Sequence, residues 1–179
     1  MKAWRRDDAG GGAPDGAPGA RCAMLPDEAD MLANLGRQVL GLHRAVIDGR
    51  AVLDDPVMER LYPSAYGGEE ASAEFRRLAS PDIATERIRT MTRMVVDLET
   101  ALPAEGDEAD DAELQLVVDA EGADAWLRAL GEVRLVLHVR TGQDRASLTP
   151  DVTDEDIDQL RDVIEWLGFA QATLLEALD

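Results

Sequence analysis

The sequence predicts a mainly α protein: a helical bundle of four long helices plus short ones, with a minor antiparallel β element near the N-terminus. Three observations carry that prediction. Apolar residues recur at steps of three and four in four separate stretches, which places them on one face of a helix. The stretches are punctuated by residues that start or stop helices. Four such stripes can leave water together by packing on one another. The stretch AWLRALGEVRLVL, residues 125–137, shows the pattern well, since Trp126, Leu130, Val133 and Leu137 form the stripe while Arg128 and Arg134 stand among them.

The chain begins MKAWRR, and residues 7–20 then read DDAGGGAPDGAPGA, where Gly and Pro are too dense for a helix or a continuous strand. This stretch reads as a flexible loop. Its flanks, Lys2 to Arg6 and Arg21 to Leu25, can pair across it as two strands. From Pro26 the period changes: Leu32, Leu35, Val39, Leu42 and Val46 define a helix from Asp27 to Asp48, with Gly49 as its stop. In DDPVMERLYPSAYGG, Asp55 before Pro56 opens a turn or two of helix that closes before Pro63, with Tyr62 and Tyr66 as anchors.

Glu69 to Leu78 reads as a short helix. Ser80 and Pro81 then restart a long one, serine as cap and proline in the first helical position, with Ile88, Met91, Val95, Leu98 and Leu102 as its stripe and Pro103 as its end. Residues 104–113 carry six carboxylates and no apolar period, which predicts a solvated acidic loop. Leu114, Leu116 and Val118 alternate as a short strand able to join the terminal hairpin. A helix from Gly122 to Arg140 follows. The last helix starts near Thr153, and its stripe of Ile157, Leu160, Ile164, Leu167, Leu174 and Leu178 has one polar member, Gln171.

The 179 residues suit a single domain. With 37 acidic against 18 basic residues the formal charge is −19, a field that repels phosphate backbones and opposes non-specific DNA binding. The lone cysteine, the missing apolar run of membrane-spanning length and the missing leader predict a cytoplasmic protein with no membrane partner.

Chemistry-bearing patterns are sparse. His43 and His138 lie on amphipathic stretches without a serine or cysteine placed as nucleophile, so no catalytic residue is assigned and the protein is read as a non-enzyme. A deep pocket lined by both histidines and carboxylates would reopen an enzymatic reading. Asp154, Asp156 and Asp158 alternate as in a calcium loop but lack its turn glycine, and they suit the positive end of a helix dipole instead; no metal and no cofactor are expected. Cys22 is the candidate for a redox response, which requires an exposed thiol of lowered pKa. Trp126, Arg128, Arg134 and Trp166 are the candidates for a packed helix pair or interface. Arg76, Arg77, Arg87, Arg89 and Arg93 make a dense cationic region whose acidic neighbours Glu69, Glu70, Glu74 and Glu86 favour intramolecular ion pairs, and an anionic partner is the alternative, with Arg76 and Arg77 as its candidates.

The motifs DDPVMERLYPSAY, EFRRL, AWLRALGEVRLVL and EWLGFAQATLLEAL, in this order, give nearly the whole chain a resemblance to an actinobacterial family of unknown function. Genes of that family commonly stand beside the one for the adaptor of the Clp protease, and some members are described as oxidative-stress transcriptional regulators. The resemblance implies a small helical, non-enzymatic regulator of stress response, forming a homodimer and acting through a protein partner from the transcription machinery or the Clp system. Its alternatives are an accessory factor in Clp-dependent proteolysis and a direct DNA-binding regulator. A sensor built on an internal cysteine pair has no counterpart here, because Cys22 stands alone.

Overall fold

The computed structural model describes residues 1–7, 19–52, 55–63, 69–103, 112–142 and 154–179, with the side chains of 69–78 and 154 excepted. Asp7, Gly19 and Ala20, expected within the flexible loop of residues 7–20, are paired strand residues instead, because the two flanking strands extend further into it; the rest of that loop, Tyr66, Thr153 and most of the acidic loop lie outside the described residues. Eight elements follow in order: β1 (Arg5–Asp7), β2 (Gly19–Met24), α1 (Pro26–Ile47), α2 (Pro56–Leu61), α3 (Glu69–Ala101), β3 (Leu114–Val118), α4 (Ala120–Gly142) and α5 (Asp154–Leu178). Four helices are long, one is short, and the strands form one antiparallel sheet in the order β1-β2-β3.

The sheet register places Arg5 opposite Arg21, and Cys22 opposite Leu116. Ala20, Cys22, Met24, Leu116 and Val118 turn inward while Arg21 and Val117 face out, the alternation expected of a sheet with one wet face. β1 is shorter than the Lys2 to Arg6 strand expected from sequence, although the Lys2 N–H still reaches the Ala23 carbonyl at 2.7 Å.

Each helix end has a local cause. Pro26 occupies the first position of α1, where no donor is needed, and Glu28 reaches back to accept the Leu25 N–H at 2.8 Å. At the other end Gly49 adopts φ +67, the left-handed conformation that stops a helix, while the Arg50 N–H bonds back to the Ala45 carbonyl. Asp55 caps α2 by accepting the Val57 N–H at 2.8 Å, and Asp119 caps α4 by accepting the Gly122 N–H at 2.7 Å.

One boundary differs from the sequence expectation. Ser80–Pro81 does not restart a helix: α3 runs through it unbroken from Glu69 to Ala101. A proline costs its own N–H bond to the preceding turn, but Pro81 lies on the exposed side, and the rest of its turn carries on, with the Thr85 hydroxyl donating to the Pro81 carbonyl at 2.9 Å.

The long helices and the inner sheet face share one core, in which Leu32, Met91, Met94, Leu98, Trp126, Leu130, Leu167 and Leu174 are sealed from solvent. Trp4 meets Trp126 edge to face at 5.2 Å between ring centres, joining the start of the chain to α4. A satellite cluster of Val57, Met58, Leu61, Tyr62 and Ala84 seats α2 against the far end of the bundle. No helix among the described residues is long and apolar enough to cross a membrane.

Candidate functional site

The richest polar constellation lies where α1, α2, α3 and α4 meet. His43, on the inner face of α1, is fully buried, and both its ring nitrogens are engaged: Nδ1 is 2.7 Å from the Tyr62 hydroxyl just past α2, and Nε2 is 2.9 Å from Glu132 Oε2 on α4. The second oxygen of Glu132 takes the Arg87 guanidinium of α3 at 2.9 Å. That guanidinium lies 5.3 Å from the centre of the Tyr62 ring. Burial pushes the Tyr62 hydroxyl up to about 12, with Arg87 pulling it down and Glu132 pushing it up. The phenol therefore keeps its proton, and its hydroxyl and the Glu132 carboxylate together occupy both ring nitrogens of His43.

The outer edge of this network opens on a groove of about 720 Å³. Its floor is the row Leu127, Gly131 and Leu135 of α4, with Ile83 and Arg87 of α3 on one side and Gln171 of α5 on the other. His138 is not part of it; it lies exposed beside a separate groove with Pro56, Glu59 and Arg60. The convergence of both histidines in one pocket, which would have reopened an enzymatic reading, does not occur. Among the described residues no three His, Cys, Asp or Glu side chains gather to hold a metal ion.

A second polar link crosses from α4 to α5. Arg134 donates to Gln171 Oε1 at 2.8 Å, and Gln171 Nε2 donates to the Leu127 carbonyl at 3.0 Å. Glycines make room for both: a methyl group on Gly131 would stand 3.1 Å from the Gln171 amide, and one on Gly168 would stand 3.3 Å from the Arg134 guanidinium. A third link runs through Asp97, which accepts the Trp126 indole N–H at 2.9 Å and the Arg93 guanidinium at 3.0 Å.

The candidates from sequence are scattered among these features. Trp126 is a core residue with no exposed surface. Arg128 is exposed and paired with Asp124 one turn earlier at 2.9 Å. Arg134 sits in the α4–α5 seam. Trp166 is half-buried on α5, its indole N–H buried without a hydrogen-bond partner. Arg76 and Arg77 fall within α3, but their side chains are outside the described ones. Cys22 is buried in β2, and desolvation pushes its thiol up to about 12, the opposite of what a reactive thiolate requires.

Arg87, Arg89 and Arg93 form intramolecular ion pairs, but of the acidic neighbours expected to serve them only Glu86 is seen as a partner, and the side chains of Glu69, Glu70, Glu74, Arg76 and Arg77 lie outside the described ones. Arg89 pairs with Glu86 and Glu121, whereas Arg87 and Arg93 find Glu132 and Asp119 on or just before α4, far along the chain. Sequence reading did not single out Tyr62 as a hydrogen-bonding residue, nor Trp4, Asp97 or Glu132. Only Gln171 carried a signal, as the one polar member of the α5 stripe.

As chemistry, the His43 network is a saturated cross-link. Its imidazole has no free nitrogen, and both oxygens of Glu132 are engaged, so it ties four helices together. No curated protein and no solved structure matches the chain. A family model described as a domain of unknown function, DUF2017, matches residues 1–178, and the chain belongs to that family.

Proposed function

We propose that this protein is a non-enzymatic regulator of stress response that works by binding protein partners, on transcription in the first instance. The observation that carries the reading is that the groups most suited to catalysis, His43, Tyr62, Glu132 and Asp97, are turned inward and hydrogen-bonded to one another or to core residues. What remains outside is a strongly acidic surface interrupted by exposed Phe169, Leu175, Val96 and Ile83. A net charge of −19 favours protein surfaces over nucleic acid as the thing bound.

The test is affinity capture of the tagged protein from its native cell, combined with mobility-shift assays on DNA across a salt series. A component of the transcription machinery recovered at stoichiometric amount, with no retardation of DNA, is the expected outcome. Retardation that falls steeply with salt would replace the reading by direct DNA binding. A Clp component as the recovered partner would replace it by a role in proteolysis.

A further inference from the structure

We propose that the outer face of α5 is a docking surface for a basic amphipathic helix of a protein partner; the proposal rests on the partner-binding function above and names the surface and the chemistry of what it takes. Asp162, Glu165, Phe169, Ala172 and Glu176 follow one another at steps of three and four along α5, so they form a single row. All five are exposed, Phe169 at 46%, and Leu175 beside the row is 55% exposed. The order along the row is acid, acid, apolar, apolar, acid.

Some exposed carboxylates are matched within the protein, as in Glu86 with Arg89, Glu99 with Arg37 and Asp124 with Arg128, whereas those of this row flank exposed apolar side chains. Among the described residues Asp162, Glu165 and Glu176 have no ion-pair or hydrogen-bond partner. The only cation on α5 is Arg161, and it is held by Asp158 at 2.7 Å. An apolar centre with unpaired carboxylates at both ends is complemented by a helix with apolar residues in its middle and Lys or Arg toward its ends, about 20 Å long, or four turns. A second copy of this chain fits poorly, because laying α5 on α5 brings the same carboxylates onto each other without cations between them. Nucleic acid and anionic lipid are opposed by the same charges.

The probe is a fluorescein-labelled helical peptide of about fifteen residues, with leucines at its centre and lysines toward both ends on one face. Its control is a peptide of equal composition with those residues scrambled around the helix. Binding to the full chain is read by fluorescence anisotropy, and the fold of each variant by circular dichroism.

The native protein is expected to bind the patterned peptide and not the scrambled one. Phe169→Ser with Leu175→Ser should raise Kd about 30-fold, a loss of hot-spot size. Glu165→Gln with Glu176→Gln should raise it about fivefold at low salt and flatten its salt dependence. Glu59→Gln with Asp82→Asn removes as much charge elsewhere and should leave Kd unchanged. Equal binding of the scrambled peptide, no binding at all, or equal weakening by the Glu59 and Asp82 pair would overturn the proposal. So would a dimer in sedimentation that Phe169→Ser dissociates, since a second copy would then cover the face. Failure here leaves the cell-capture result untouched, so surface and function are judged separately.

Discussion

Replacing Trp126 tests the core and its most elaborate polar contact together. Trp126 has no exposed surface, packs edge to face on Trp4 and donates its indole N–H to Asp97 at 2.9 Å. Trp126→Ala removes the ring and leaves a cavity, which costs about 3–5 kcal/mol. The stranded Asp97 oxygen adds about 1 kcal/mol, at the low end for an abandoned acceptor, because Arg93 still holds that carboxylate. The sum, about 4–6 kcal/mol, approaches the whole stability of many domains, so this variant should be largely unfolded at 37 °C. Trp126→Phe keeps most of the ring and discards the donor, and should cost about 1–2 kcal/mol. Urea unfolding followed by far-UV circular dichroism measures both, and pairing Trp126→Phe with Asp97→Ala in a double-mutant cycle isolates the hydrogen bond, with an expected coupling of about 1 kcal/mol. A loss below about 1 kcal/mol for Trp126→Ala would refute the packing argument. A coupling indistinguishable from zero would refute the role given to the indole N–H.

Three other expectations follow from particular residues. Cys22 and Tyr62 hold their protons more tightly when folded than when unfolded, from ordinary values of 9.0 and 10.0 up to about 12 each. Between pH 9 and 12 the unfolded chain therefore binds fewer protons than the folded one, so the stability they contribute is complete below pH 9 and drains away as pH climbs toward 12. Thermal melts across that range should show it, and Cys22→Ala should delay the onset to about pH 10; an onset unmoved by Cys22→Ala would sink the assignment. Tyr62→Phe leaves His43 Nδ1 buried without its partner and should cost about 1–3 kcal/mol in urea unfolding, while a neutral result would mean that nitrogen has another partner. In Gly36→Ala the new methyl would stand 2.7 Å from Val95 Cγ2 at the α1–α3 crossing. Overpacking of that kind should lower stability by about 1–3 kcal/mol, and a gain from helix propensity instead would show that Val95 can move aside.

The sequence alone determined whatever depends on near neighbours. Helical period, proline and glycine punctuation, and capping acids are encoded within a few residues, so α1, α2, α4, α5 and the strand at Leu114–Val118 are all legible from it. The local signal failed at Ser80–Pro81, because a capping serine followed by proline looks the same whether a helix begins there or passes through, and neighbouring elements decide which. Tertiary structure alone decided the polar links. Arg87 meets Glu132, Asp97 meets Trp126 and Arg134 meets Gln171 across separations of 29 to 45 residues, where nothing in the order of residues marks one carboxylate or amide as the partner. It also decided the fate of Cys22, whose reactivity depends on solvent access, and solvent access is settled only when the sheet closes on the helices. Short-range preferences are properties of the chain, whereas burial and pairing belong to the assembled whole, because water leaves a side chain only when distant segments arrive to replace it.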